Sequence, residues 1–104
     1  MTIYHFIAAS ESFLTVEEPL EEVLRERQRN YAETGKEIDF WLVKQPVFLD
    51  APEMADVKAK VPKPAAAVVS TDPKFITFLK LRLEYVVAGQ FEAPTAAIPD
   101  ALAC

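Results

Sequence analysis

The chain carries few side chains suited to catalysis. It has one histidine, His5, and one cysteine, Cys104. His5 falls in a run of β-branched and aromatic residues, where a lone histidine is expected to be packed and hydrogen-bonded. No second histidine, paired cysteine or Glu-x-x-His motif accompanies it, so a zinc or di-iron site built from this chain alone is not expected. Cys104 has no partner for an intramolecular disulfide and no neighbouring base. It also lacks the residues that must follow a prenylated cysteine, so it reads as a frayed terminal thiol. Ser10, Ser12 and Ser70 lie in no nucleophile motif. Gly35 and Gly89 each fall just past a predicted helix, which leaves no glycine-rich loop to cradle phosphate.

Two charges stand among large apolar groups. Asp39 adjoins Phe40 and Trp41, and Arg82 projects between two apolar stripes. Asp39 reads equally as a general base with a raised pKa, as a solvated edge residue, or as one half of an ion pair with Arg82. With no second catalytic group in reach, a binding or structural role is favoured over an enzymatic one.

These residues need elements to position them. Asp72 to Gly89 reads as the organising helix. Asp72 is a good N-cap, Pro73 suits the first helical position and Gly89 suits the left-handed residue past the end. At roughly 100° per residue, Phe75, Ile76, Leu79, Leu83, Val86 and Val87 form a broad core stripe. Phe78, Leu81 and Tyr85 form a second stripe. Either the chain's own C-terminal tail covers that stripe, or it is a partner-binding surface, for which Tyr, Phe and Arg are typical anchors.

Thr2 to Ala9 reads as a strand with Ile3, His5, Ile7 and Ala9 on one face and Tyr4, Phe6 and Ala8 on the other. A helix over 19–33 follows, possible capping-box residues Thr15 and Glu18 lying one turn earlier. Leu20, Val23, Leu24 and Tyr31 mark its buried side; Glu21, Glu22, Arg25, Glu26, Arg27 and Arg29 read as its solvated face. A second strand is predicted over 37–44, with Ile38, Phe40 and Leu42 opposite Asp39, Trp41 and Val43. Both its faces carry large apolar groups, so both should be covered. Val47 to Leu49 reads as a short third strand or a continuation, 50–60 as a short helix with Asp50 and Glu53 at capping-box spacing, and 65–70 as a buried strand. The expected fold is a single α+β domain over 1–104, β-α-β-β-α-β-α, with one antiparallel sheet of about four strands, three helices on it and an irregular tail over 90–104. A ferredoxin-like arrangement fits that pattern.

Composition narrows the functional classes. Half the residues are hydrophobic (51%) and a quarter charged (26%), an ordinary globular balance. The formal net charge of −5, with no basic cluster, disfavours nucleic acid and anionic lipid as partners. The N-terminal run does not resemble a signal peptide, and no segment approaches the length of a bilayer span. A soluble protein in a reducing compartment is expected.

Three stretches carry a resemblance: Glu17-Glu-Pro-Leu-Glu-Glu-Val-Leu-Arg-Glu-Arg27, Gly35-Lys-Glu-Ile-Asp-Phe-Trp-Leu-Val-Lys-Gln-Pro46, and Phe75-Ile-Thr-Phe-Leu-Lys-Leu-Arg-Leu-Glu-Tyr-Val86. Together they resemble the small accessory protein of the magnesium-protoporphyrin IX monomethyl ester oxidative cyclase, and the match spans nearly the whole chain. The resemblance implies a non-catalytic role in chlorophyll biosynthesis in oxygenic phototrophs, without cofactor or metal of its own. The implied partner is the separate di-iron cyclase subunit that forms the isocyclic ring of protochlorophyllide, with other enzymes of chlorophyll biosynthesis as further partners. The implied location is the cytoplasm or plastid stroma, peripheral to thylakoid membranes through that partner, with no direct insertion. On this chain, Asp39, Phe40 and Arg82 are the matching positions best suited to partner contact, followed by Trp41, Phe78, Leu81 and Tyr85, any of which could instead be core. A second functional class stays open: a porphyrin-binding or porphyrin-modifying domain using an open apolar sheet face and His5.

Overall fold

Alternating side chains build the sheet. In the computed structural model, which describes residues 2–104, β1 (Thr2–Ser10), β2 (Phe40–Lys44), β3 (Ala65–Ser70) and β4 (Val87–Ala93) form one four-stranded sheet in the order β2-β3-β1-β4. Every neighbouring pair is antiparallel. Read from the other end, the order is 4-1-3-2, the ferredoxin-like arrangement expected from the sequence. β1 and β3 are central, so residues 66–69, Ala-Ala-Val-Val, are buried on both faces.

Helices α1 (Leu20–Thr34) and α3 (Pro73–Leu83) cover one face. Leu20, Leu24 and Tyr31 from α1 meet Phe75, Ile76, Leu79 and Leu83 from α3 over Ile7, Phe40 and Val68. The opposite face is covered by the segment between β2 and β3 and by the C-terminal tail. There Phe48, Leu49, Met54 and Val61 join Ile98 and Ala101 over Phe6, Val43, Val69 and Phe91. Phe48 stacks on Phe91 at 4.4 Å between ring centroids, and Phe6 packs on Phe48 at 5.0 Å. The tail is tied down by the Val47 N–H, which donates to the Ala103 carbonyl at 2.9 Å.

Several predicted elements differ. Residues 47–49 form part of a 3-10 turn (Val47–Asp50), not a strand. The helix predicted over 50–60 is a second 3-10 turn (Pro52–Met54) followed by α2 (Ala55–Lys60). Asp50 makes no capping box; its carboxylate pairs with Lys58 instead. Thr15 likewise forms no capping box, because it lies in a π-helical turn (Phe13–Glu17) and its hydroxyl donates to the Glu11 carbonyl. The second strand begins at Phe40, three residues later than predicted.

The largest difference is at the end of α3. The helix stops at Leu83, and a strand not foreseen in the sequence, β4, takes up 87–89 of the predicted helix and 90–93 of the predicted tail, so the strands and α-helices run β-α-β-α-β-α-β in place of the expected β-α-β-β-α-β-α. Glu84 adopts φ 60° and turns the chain without glycine. Lys80 Nζ donates to the carbonyls of Glu84 and Val86 and so satisfies acceptors just past the helix end. Gly89 therefore lies inside a strand, where a Cβ would come within 2.8 Å of the Phe6 ring. Gly35 does end α1, at φ 72°.

Candidate partner-binding surface

The helix layer holds one polar network, centred on a residue read from sequence as solvated. On α1, Leu20, Leu24, Arg27 and Tyr31 follow one another at i, i+4, i+7 and i+11, one side of the helix. Arg27 thus enters the interface between α1 and α3. Its guanidinium carbon lies 3.9 Å from the Phe75 ring centroid, 5.0 Å from Tyr31 and 5.3 Å from Phe40. Arg27 Nη2 donates to the Tyr31 hydroxyl at 2.7 Å and to Asp72 Oδ2 at 3.3 Å. The Tyr31 hydroxyl in turn donates to Asp39 Oδ1 at 3.0 Å. Asp72 does two jobs: its other carboxylate oxygen accepts from the Lys74 N–H and caps α3.

Ser70 closes the network from the sheet. Its hydroxyl donates to the Asp39 carbonyl at 2.8 Å and accepts from the Asp72 N–H at 2.9 Å. The start of β2, the end of β3, the cap of α3 and the middle of α1 are therefore joined by side-chain hydrogen bonds. The Tyr31 phenol is pushed above its ordinary 10.0, first by burial and then by its bond to Asp39; Arg27 opposes the shift.

Asp39 does not pair with Arg82. It sits next to the N-terminus of α3, since the Thr71 N–H donates to its carbonyl, whereas Arg82 is in the last turn of that helix. Asp39 precedes β2 rather than lying in it, so its carboxylate turns to Tyr31 in the helix layer and not to the side shared by Trp41 and Val43. Arg82 is exposed and lines a shallow dip with Glu18, Leu20 and Val23.

The second stripe of α3 is on the surface. Phe78 is 50% exposed, Leu81 74% and Tyr85 83%. The C-terminal tail does not cover them, because Ile98 and Ala101 pack on the opposite face of the sheet. Tyr85 lies in the connection to β4 rather than on the helix. Beside the stripe, a cleft of about 500 Å³ runs between α1 and α3, with Val23, Phe75 and Phe78 as apolar walls and Glu26, Arg27, Asp72 and Lys74 as charges. Of the remaining candidate residues, Trp41 is half-buried against the core of the opposite face. Phe40 is only 2% exposed and packs edge-on against Tyr31 and Phe75, so its ring has almost no surface to offer a partner.

The family model described as Ycf54 protein matches residues 2–93. The chain belongs to the Ycf54 family. A Ycf54-like protein of Synechocystis sp. is 59% identical over 103 residues, covering 99% of this chain and 77% of that relative. Protein YCF54, chloroplastic, of Arabidopsis thaliana is 43% identical over 103 residues, covering 98% of this chain and 47% of that longer protein. Among solved structures, the Ycf54 protein of Synechocystis sp. superposes with a TM-score of 0.96 at 58% identity, covering 99% of this chain and 96% of that one. A Nostoc sp. protein superposes with a TM-score of 0.95 at 63% identity, covering 98% and 94%. The fold is thus shared with these solved structures, and the family extends by sequence to a chloroplastic relative. Among the described residues, no helix is long and apolar enough to cross a membrane, and no group of three or more His, Cys, Asp or Glu is placed to hold a metal ion.

Proposed function

We propose that this Ycf54-family chain is a non-catalytic accessory protein that binds the di-iron subunit of the magnesium-protoporphyrin IX monomethyl ester oxidative cyclase and supports isocyclic-ring formation. The observation that carries the reading is the exposed stripe Phe78, Leu81 and Tyr85 with Arg82 among them. An apolar ridge holding an arginine on a small domain is the composition of a protein-binding hot spot. Association with thylakoid membranes would then come through the partner.

A porphyrin-binding role required an open apolar sheet face. Both faces are covered, one by α1 and α3 and the other by the 47–61 segment and the tail. His5 is half-buried in β1, between Ser70 and Gln90 of the neighbouring strands.

The test is capture. Tagged protein is incubated with detergent-solubilised photosynthetic membranes, and the retained proteins are identified by mass spectrometry. Retention of the di-iron cyclase subunit by the wild type, and its loss with the double variant Leu81→Ser, Tyr85→Ser, is the expected result. Equal retention by both proteins, or none by either, would remove the proposal.

A further inference from the structure

The two edges of the sheet are not alike. β4 carries Gly89, Gln90 and Glu92, the kind of polar and flexible residues that blunt an edge. β2 is the other edge, and residues 40–43 are Phe-Trp-Leu-Val, with no proline or charge before Lys44. The register fixes which of its main-chain groups are free. The Thr71 N–H donates to the Asp39 carbonyl and the Gln45 N–H donates to the Ala65 carbonyl. Positions 39, 41, 43 and 45 therefore bond to β3, and the N–H and C=O groups of Phe40, Leu42 and Lys44 point away from the sheet. Among the described residues, no turn, loop or side-chain hydrogen bond takes them up.

Next to this edge, between β2 and α1, is a groove of about 390 Å³ whose floor is formed by the buried Leu24 and Phe40, with Trp41 and Leu42 as its partly exposed apolar walls and Glu21, Arg25 and Gln28 as its polar lining. Donor and acceptor pairs at every second residue beside an apolar slot are the complement of one kind of occupant, an extended chain with alternating apolar side chains.

We propose that β2 is a strand-addition site, at which an extended segment of a protein partner pairs antiparallel with residues 40–44 and sets alternate apolar side chains into the groove under α1. This surface is separate from the α3 stripe, and the occupant rests on the cyclase-subunit reading above. It also gives Phe40 a route to partner contact through its outward main chain, although its ring is buried.

The experiment is residue-level amide hydrogen exchange on the full chain, alone and in complex with the solubilised di-iron cyclase subunit. In the free protein the amides of Phe40, Leu42 and Lys44 should exchange fast, and those of Trp41 and Val43 slowly. In the complex, the three outward amides should slow by about tenfold or more. A complex that leaves them fast overturns strand addition while the accessory role stands; absence of any complex overturns both. Slowing that depends only on the protein's own concentration, with a dimer in sedimentation, would assign the edge to a second copy and overturn the proposal. As a check by substitution, Lys44→Pro removes one outward N–H and no intrachain sheet bond, whereas Lys44→Ala keeps it. The proline variant should bind the subunit about five- to tenfold more weakly than the alanine variant, and equal binding would count against main-chain pairing.

Discussion

Arg27 lies over Phe75, with its guanidinium carbon 3.9 Å from the ring centroid, and this contact joins α1 to α3 at the centre of the helix layer. The stack leaves Nη2 free to reach Tyr31 and Asp72 together. A guanidinium can do this because it is planar and weakly hydrated; an ammonium can neither stack flat nor fork.

Arg27→Ala should therefore lower stability by about 2–3 kcal/mol, the loss of a partly desolvated cation–π stack and of charge-assisted hydrogen bonds. Arg27→Lys should recover less than half of that. Urea unfolding of the two variants checks the prediction, and full recovery by lysine would show that only the charge matters.

The two stripes of α3 should separate in the same assay. Leu79 and Leu83 are buried, so truncating either to alanine should cost about 2–5 kcal/mol. Leu81 is exposed, and Leu81→Ala should stay within about 0.5 kcal/mol of the wild type. A large loss at Leu81 would mean that the exposed stripe is supporting the monomer.

Arg82→Ala is the sharper test of the surface. Arg82 has no ion pair among the described residues, so its removal should leave the unfolding curve within about 0.5 kcal/mol. Capture of the cyclase subunit should weaken by about 2 kcal/mol or more, as at an interface hot spot. Normal capture by the folded variant would take Arg82 off the binding surface.

Tyr31 gives a pH signature. Its folded pKa is raised above 10.0, so between that value and the raised one the unfolded chain releases the phenolic proton while the folded chain keeps it. Stability from this group is complete below pH ~10 and is lost as pH rises through that window. Tyr31→Phe, which costs about 1 kcal/mol at neutral pH through the lost hydrogen bonds, should close part of its deficit above pH ~10. Parallel urea titrations at neutral and alkaline pH would show it; a constant deficit would contradict the assignment.

The sheet was legible where alternation is strong. β1 and β2 show their two faces directly, and the short apolar run of β3 reads as a strand buried on both sides. β4 was hidden because Val86, Val87 and Gly89 extend the pattern of α3 and imitate a glycine-capped helix. The stop is made instead by Glu84 at positive φ and by Lys80 reaching forward to two carbonyls, neither of which has a sequence signature. Arg27 was hidden for a different reason. It lies in a run of alternating charges that suits a solvated face, and only its i+7 and i+4 spacing from Leu20 and Tyr31 marks it as inward. Asp39 and Arg82 stood out because of their apolar neighbours in sequence, yet the structure puts them beside opposite ends of α3. The exposed stripe was visible as an excess of apolar residues, but whether the tail covered it depended on which face of the sheet the tail chose.

That choice bears on where the chain can be cut. The match to the family model ends at residue 93, but Ile98 and Ala101, which come afterwards, are buried in the same core cluster as the Phe48–Phe91 stack. A fragment trimmed at residue 93 would keep every strand and still open an aromatic cluster to water, turning a covered face into a sticky one.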